Sequence, residues 1–555
     1  MSISPPNPIA AIDLKAMIVS GEELALLDLR EEGTFGDGHL LFAVPMPLSR
    51  LELTCDDLVP RRDVPIVLCA GGQQDDPLIT LGAERLSRFG YSDVSYLEGG
   101  LQGWAEAGFE VFSGVNVPSK AFGEFIEINF ETPHIPAAEL QAMKDRGDDL
   151  VIVDSRPMPE FENMSIPGGI DVPGAELALR IHDIAPRPDT TVVVNCAGRT
   201  RSIIGAQSLI NAGIKNRVVA LENGTMGWHL AGLELARGQT QSFPALSSGG
   251  LKRALDCADG IAARFEVPEI DAATLDQWRA DKNRTLYVLD VRDGDEFEAG
   301  HLADAKPAPG GQLVQATDRY VGVKGARLVL VDDNGVRATM TASWLIQMGW
   351  SDTYVLADAL NCGPLVEGPH HPQVFGLGEA TPELVSPKDL AALMVGGGAI
   401  VVDLTDSRDY RKGHIPASRF AIRANLPGNL DAIPGAISGG VKIVLTSPDG
   451  VLARLAAADA AQGIKAGGRD VKILAGGTAA WVDAGLPLAK GFKDALDEPV
   501  DVWYRPYDLD EGNEDAMQTY LTWEVGLSDQ IERDGTTRFR NFAAAPAVDA
   551  QGGSS

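Results

Sequence analysis

LVIVDSR, at Leu150–Arg156, is an apolar run closed by an acid and a base, and it recurs. The chain repeats it as LALLDLR at Leu24–Arg30, LYVLDVR at Leu286–Arg292 and AIVVDLT at Ala399–Thr405. An aromatic follows at a similar distance in every copy: Phe35, Phe161, Phe297 and Tyr410. A turn-like segment comes next, Gly38-His39-Leu40, Ile166-Pro167-Gly168, Gly300-His301-Leu302 and Gly413-His414-Ile415. Repetition at this scale fixes the architecture before any single residue is weighed.

Each unit carries a second buried strand: PIVLC at Pro65–Cys69, VVVNC at Val192–Cys196, LVLVD at Leu328–Asp332 and IVLTS at Ile443–Ser447. Their closing residues fall 115 to 136 positions apart, the size of one small domain. A short polar loop and a helical pattern follow. In the second unit the helix runs from Ser202 to Ala212, with Ile203, Ile204, Leu209 and Ile210 on one face and Gly213 as its stop. A third strand then leads into a glycine turn and a tryptophan, in YLEGGLQGW at Tyr96–Trp104, LENGTMGW at Leu221–Trp228 and LAGGTAAW at Leu474–Trp481. The third unit lacks the tryptophan across Leu356–Gly363. Continuously apolar strands alternating with helices predict a parallel sheet covered on both faces.

The fold class is therefore α/β, with four tandem domains over 1–118, 119–248, 249–375 and 376–498 and a C-terminal helical extension over 499–555. The boundaries are placed in the softer stretches Ser113–Ala121, Gly238–Gly250 and Gly363–Pro382. Within the extension, Glu514–Arg533 predicts an amphipathic helix that packs back on the domains through Met517, Tyr520, Leu521, Val525 and Ile531. Gln551–Ser555 reads as a frayed end.

Composition agrees with a folded chain: 555 residues, 45% hydrophobic and 23% charged. The 47 Lys+Arg and 78 Asp+Glu leave a net charge of −31, which speaks for solubility and against a nucleic-acid partner, since no basic run is present. A small anionic substrate must then be drawn by a local positive site against the global field. Met1–Leu14 has neither a basic stretch nor a long apolar core, so it does not read as a signal peptide. No run approaches the ~18 apolar residues of a membrane span. The five cysteines are scattered and form no CxxC pair, which supports neither a disulfide framework nor a metal site. A reducing cytoplasm is the expected compartment.

The loops after the second strands provide an internal control. They read Cys69-Ala-Gly-Gly-Gln-Gln-Asp75, Cys196-Ala-Gly-Arg-Thr-Arg-Ser202, Asp332-Asp-Asn-Gly-Val-Arg-Ala338 and Ser447-Pro-Asp-Gly-Val-Leu-Ala453. Only the second joins a thiol to two cations, Arg199 and Arg201. A thiol at the end of a parallel strand sits where ligands bind in α/β sheets. The backbone N–H groups of Ala197, Gly198, Arg199, Thr200, Arg201 and Ser202 can curl around the sulfur as an anion nest at a helix N-terminus. That setting predicts a thiolate, with a pKa lowered from ~8.5 to about 3.5–7.5. Cys69 has no loop cation and faces Asp75 and Asp76, so it reads as structural, as do Cys55, Cys257 and Cys362. Arg337 matches Arg201 in register, which leaves anion binding open in the third unit. His39, His301 and His414 read as turn or cap residues, Arg156 as a strand brace paired with Glu160, and Trp104, Trp228 and Trp481 as core plugs.

The Asp-x-Arg, aromatic and Gly-His-Ile/Leu signature, the strand–Cys-x4-Arg–helix and the Gly-Gly-x3-Trp finish together resemble rhodanese-like domains over about Ile9 to Ala495, in four copies. Tandem four-domain rhodanese-like sulfurtransferases look most similar. The resemblance implies that Cys196 carries sulfur as a persulfide within the 197–202 cradle, that Arg199 and Arg201 hold the oxygens of a small anionic donor, and that no cofactor or metal takes part. It implies thiosulfate as donor and cyanide or a thiol as acceptor. Two guanidiniums suit that dianion better than mercaptopyruvate. By analogy with two-domain members, units one and two would pair with the pocket near their seam.

Two other classes remain open on sequence. Phosphatases and arsenate reductases resemble this fold but space the loop as Cys-x5-Arg, one residue longer than Cys196 to Arg201. Because the other units lack the full loop, the chain also fits a persulfide relay or scaffold acting on a protein partner.

Overall fold

The computed structural model of the chain describes residues 6–72, 76–378, 382–433, 441–463, 471–509 and 512–543. Residues 73–75 of the first loop and the tail end read as frayed lie outside them. Each repeat folds as a five-stranded sheet. In the second unit the spatial order is His134–Ile135, Val218–Leu221, Thr191–Asn195, Leu150–Asp154, Ile170–Asp171, all parallel. The other units repeat this order. No residue of Thr191–Asn195 reaches solvent appreciably, as expected for a strand with helices on both faces. The chain leaves this strand and its neighbour Leu150–Asp154 in opposite directions, so their carboxyl ends frame the switch point where such sheets bind ligands.

The Asp-x-Arg signature is a brace at that end of the sheet. Arg156 Nε and Nη2 each reach an Asp154 oxygen at 2.8 Å, and Nη2 also donates to the Met164 carbonyl. Arg30 on Asp28 and Arg292 on Asp290 repeat the arrangement. The expected Arg156–Glu160 pair does not form, because Asp154 presents both oxygens from the same strand end and Glu160 is taken by Arg201. His39, His301 and His414 stack on Phe35, Phe297 and Tyr410 with ring centroids 3.7–3.9 Å apart, which fixes the turn. Trp104, Trp228 and Trp481 each donate from Nε1 to the carbonyl six residues on, at 2.9–3.0 Å, and plug the base of the sheet.

Two of the stretches read as boundaries instead begin helices. Val117–Phe130 starts within the first and Ser248–Phe265 within the second. Phe122, Ile126, Ala254, Ala258, Ile261 and Phe265 on these helices are fully or nearly fully buried, in one apolar core shared by the first three units. Unit two meets unit three through Glu176–Arg337 at 2.6 Å and through Trp344 Nε1 to Ser208 Oγ at 2.9 Å. Unit one meets unit three through reciprocal backbone bonds between Leu24 and Lys324. The expected pairing of units one and two is thus extended by unit three into a cluster of three.

The fourth unit has its own core and is held to the first by a buried ion pair. Arg423 Nη1 and Nη2 reach the two Glu52 oxygens at 2.7 and 3.0 Å, with both side chains 2% exposed. The C-terminal helix is Asn513–Asp534, close to the range expected. Val525 is 52% exposed and Leu527 is buried instead, because Met517, Leu521, Glu524 and Ile531 define a face that Val525 overshoots. No helix among the described residues is long and apolar enough to cross a membrane.

Replacing Arg423 by Met leaves the Glu52 carboxylate inside an interface with only Arg85 to answer it. The expected cost is about 3 kcal/mol, read as a lower denaturant midpoint.

Candidate active site

Cys196 is the first residue beyond the strand Thr191–Asn195, and the helix Thr200–Asn211 begins four positions later. The loop between them is pinned from one side. The carbonyls of Cys196 and Ala197 accept from Thr225 N at 2.8 Å and Met226 N at 3.0 Å. Because a trans peptide points its C=O and N–H in opposite directions, the N–H groups of Ala197 and Gly198 point away from Thr225 and Met226. Ser202 closes the ring, donating to Sγ from its backbone N–H and from Oγ at 3.0 Å. Gly224 has φ +54° and lies so close that a Cβ there would stand 2.3 Å from the Cys196 carbonyl.

The third and fourth units show what such a loop holds. Asp332 occupies the position of Cys196, and its Oδ2 accepts from Arg337 N at 2.8 Å and Ala338 N at 3.3 Å. In the fourth unit Ser447 Oγ accepts from Ala453 N at 3.3 Å. Ser202, Ala338 and Ala453 share one position, six residues after the strand-closing side chain. The loop therefore turns backbone donors toward whatever side chain closes the strand, in unit three a carboxyl that burial pushes up to about 7. Arg337, matched to Arg201 in register, is fully buried among Asp332, Asp333, Glu176 and Glu296, so it offers no anion site.

The thiol departs from the sequence expectation. Burial pushes Cys196 above its ordinary value, while the Arg201 charge and the Ser202 bonds pull it down without prevailing. The loop arginines are occupied. Arg199 donates to Glu124 Oε1 at 2.7 Å and Oε2 at 2.8 Å, and also to Glu127. Arg201 forks onto Glu160 at 2.8 and 3.1 Å. Burial opposes the Glu160 charge, yet Arg201 holds that carboxyl down to about 2. Both guanidiniums lie in the wall of the site, but neither is the free cation that the loop sequence suggests.

Cys196 and all six loop residues from Ala197, bar Ser202, line a cavity of about 160 Å³. Ser202 lies behind the sulfur and is fully buried. The lining draws on every unit: Glu32 and Asn116 from the first, Gln312 and Arg319 from the third, and Arg408 from the fourth. The tail closes it with Trp503, Arg505, Tyr507, Tyr520 and Glu524. Six cations, Lys120, Arg199, Arg201, Arg319, Arg408 and Arg505, face three carboxylates, Glu32, Glu160 and Glu524. The local positive site demanded by the acidic chain is here, and most of it comes from residues that sequence reasoning passed over. Lys120 lay inside a stretch read as linker, and Glu524 is an acid on the buried face of the tail helix.

The other cysteines sit apart from this chemistry. Cys69 is buried, and burial and Asp28 push its thiol up. Cys55 is pushed up to about 12 by burial and Glu52. Cys257 and Cys362 are half-buried and likewise shifted up by burial.

A model of the rhodanese-like domain family matches residues 10–107, 136–231, 271–361 and 386–484. The crystal structure of a thiosulfate sulfurtransferase from Pseudomonas aeruginosa is 46% identical, covers 96% of this chain and 99% of its own, and superposes with a TM-score of 0.90. An HTH-type transcriptional regulator of Mycobacterium tuberculosis is 33% identical over 104 residues, 19% of this chain and 45% of that protein. The chain thus spans under half the length of that regulator.

Two outcomes test the site geometry. Gly224→Ala drives a methyl into the Cys196 carbonyl and is expected to abolish Cys196 chemistry and cost more than about 2 kcal/mol. Gly213→Ala, at φ +70° in open space, should cost only about 1 kcal/mol. Alkylation of Cys196 is expected to keep accelerating as pH rises past about 8.5, the ordinary thiol value, since the buried group ionises later.

Proposed function

The chain belongs to the rhodanese-like family and is a rhodanese-type enzyme, and on that premise we propose that it moves the sulfane sulfur of thiosulfate through a Cys196 persulfide to a thiol or cyanide. The observation that carries the reading is the contrast between loops. Among the described residues at the four equivalent positions, only Cys196 joins a thiol to the cation-lined cavity. Cys69, the other thiol at this position, has no part in that cavity's lining.

The reaction is a double displacement. Cys196 Sγ attacks the outer sulfur of thiosulfate, the donor's S–S bond breaks, and sulfite leaves with the bonding pair. The thiol proton stays on the enzyme as Cys–S–SH. Cyanide then attacks the outer sulfur, thiocyanate departs and Cys196 is restored; a thiol acceptor leaves as its own persulfide. The amides of the 197–202 loop and Ser202 stabilise negative charge on the sulfur as it develops, in the manner of an oxyanion hole. Arg199 and Arg201 add positive potential from their places in the wall while remaining paired with Glu124, Glu127 and Glu160. A reducing compartment such as the cytoplasm suits a chain whose cysteines are all free.

Incubation with thiosulfate followed by intact-mass measurement is expected to show one added sulfur atom in the wild type and in Cys69→Ser, and none in Cys196→Ser. Cyanide should remove the added mass as thiocyanate. Sulfur retained by Cys196→Ser defeats the assignment.

A further inference from the structure

Of the six cations around the Cys196 cavity, four are already answered. Arg199 and Arg201 are held by Glu124, Glu127 and Glu160, Arg319 lies 2.8 Å from Glu32, and Arg408 lies 3.8 Å from Asp508. Lys120 and Arg505 are different. Among the described residues neither side chain forms an ion pair. Lys120 is 3% exposed and its Nζ sits 4.8–5.2 Å from the ring centroids of Trp503, Tyr520 and Trp523. The Arg505 guanidinium lies 5.7 Å from the Tyr507 ring centroid. An aromatic cage favours a cation but does not neutralise it.

We propose that Lys120 and Arg505 form the subsite for the oxyanion end of the sulfur donor, in place of the loop arginines. The inference rests on the sulfur-transfer reading above and assigns its donor-binding groups. A sulfonate seated there meets a buried ammonium and a half-buried guanidinium that form no ion pair of their own, while the outer sulfur extends toward Cys196 in the same cavity. The electrostatics agree. Burial, with Arg201 and Arg505 nearby, lowers the Lys120 ammonium to about 8 even though Glu524 supports its charge. Glu524 sets the limit on the subsite. Its Oε1 accepts from Tyr520 at 3.0 Å and from Thr200 at 3.3 Å, but its buried Oε2 has no partner and faces Gly198 of the loop. Burial pushes this carboxyl up, and its charged form repels the anion that the two cations attract.

The subsite is built by segments remote from the loop: the helix Val117–Phe130 entering unit two and the turn Pro506–Asp508 that follows Arg505. A dianionic donor therefore gains more from this cavity than a monocarboxylate does.

The test is calorimetric titration of thiosulfate into Cys196→Ser, which binds without reacting. Adding Lys120→Met or Arg505→Gln is expected to weaken binding about tenfold to a hundredfold, the loss typical of a hydrogen bond between charged groups. Lys120→Arg keeps the charge and should recover part of the affinity, while Glu524→Gln should tighten binding. Arg199→Lys should change it by less than about threefold, in line with a surviving ion pair. In the otherwise wild-type enzyme, Arg505→Gln should raise KM for thiosulfate far more than it lowers kcat. Thermal unfolding of each variant separates a lost subsite from a lost fold. Affinity that survives Lys120→Met and Arg505→Gln but collapses in Arg199→Lys overturns the subsite. Anion binding that depends on Lys120 in a protein that takes up no sulfur keeps the subsite and overturns the sulfur-transfer reading.

Discussion

A ring of backbone amides at the end of a buried strand must bond to something, and the four units answer that demand differently. In the third unit the Asp332 carboxylate fills the ring and draws Arg337 in after it. In the fourth a serine hydroxyl accepts a single amide. In the second, a thiol sits there with Ser202 as its direct donor. An unpaired buried N–H is costly, so the loop favours a hydrogen-bond acceptor at its centre. The chemistry of the chain turns on which side chain was placed in that ring and on whether a cavity opens over it.

The cavity reconciles two facts that conflict at first sight. The chain carries −31 overall, yet the donor proposed for its reaction centre is an anion. Unit two contributes three cations, and units three and four and the tail one each; they converge on one cavity, whose low-dielectric walls focus their potential. The loop's own arginines spend their charge on Glu124, Glu127 and Glu160 and so serve as rigid wall. Domains without a thiol at the loop position still take part, because Arg319 and Arg408 reach the site from units three and four.

Much of the fold was legible because it repeats. The strands ending at Asp28, Asp154, Asp290 and Asp403, the aromatic stacked by histidine and the closing tryptophan all fell where periodicity placed them. The loop around Cys196 could also be read, since a thiol beside two arginines is a local pattern. Partner choice was not. Nothing near Arg201 in sequence says that Glu160 will clamp it, nor that Asp154 will claim Arg156 first. The thiol's upward shift depends on how completely the surroundings exclude water, which spacing along the chain does not encode. Lys120 and Glu524 escaped notice because each is a charged residue on an otherwise apolar face, where pattern reading counts only the apolar positions.

The tail has a consequence for the order of events in the cell. Glu524 lies 324 residues beyond Thr200, the group it touches. Ribosomes deliver the nucleophile long before the roof that covers it. A nascent chain paused after its second unit exposes the sulfhydryl without Tyr520, Glu524 or Arg505 above it. Assembly of the chamber thus awaits synthesis of the helix Asn513–Asp534, and loss of that helix leaves Cys196 present but unroofed.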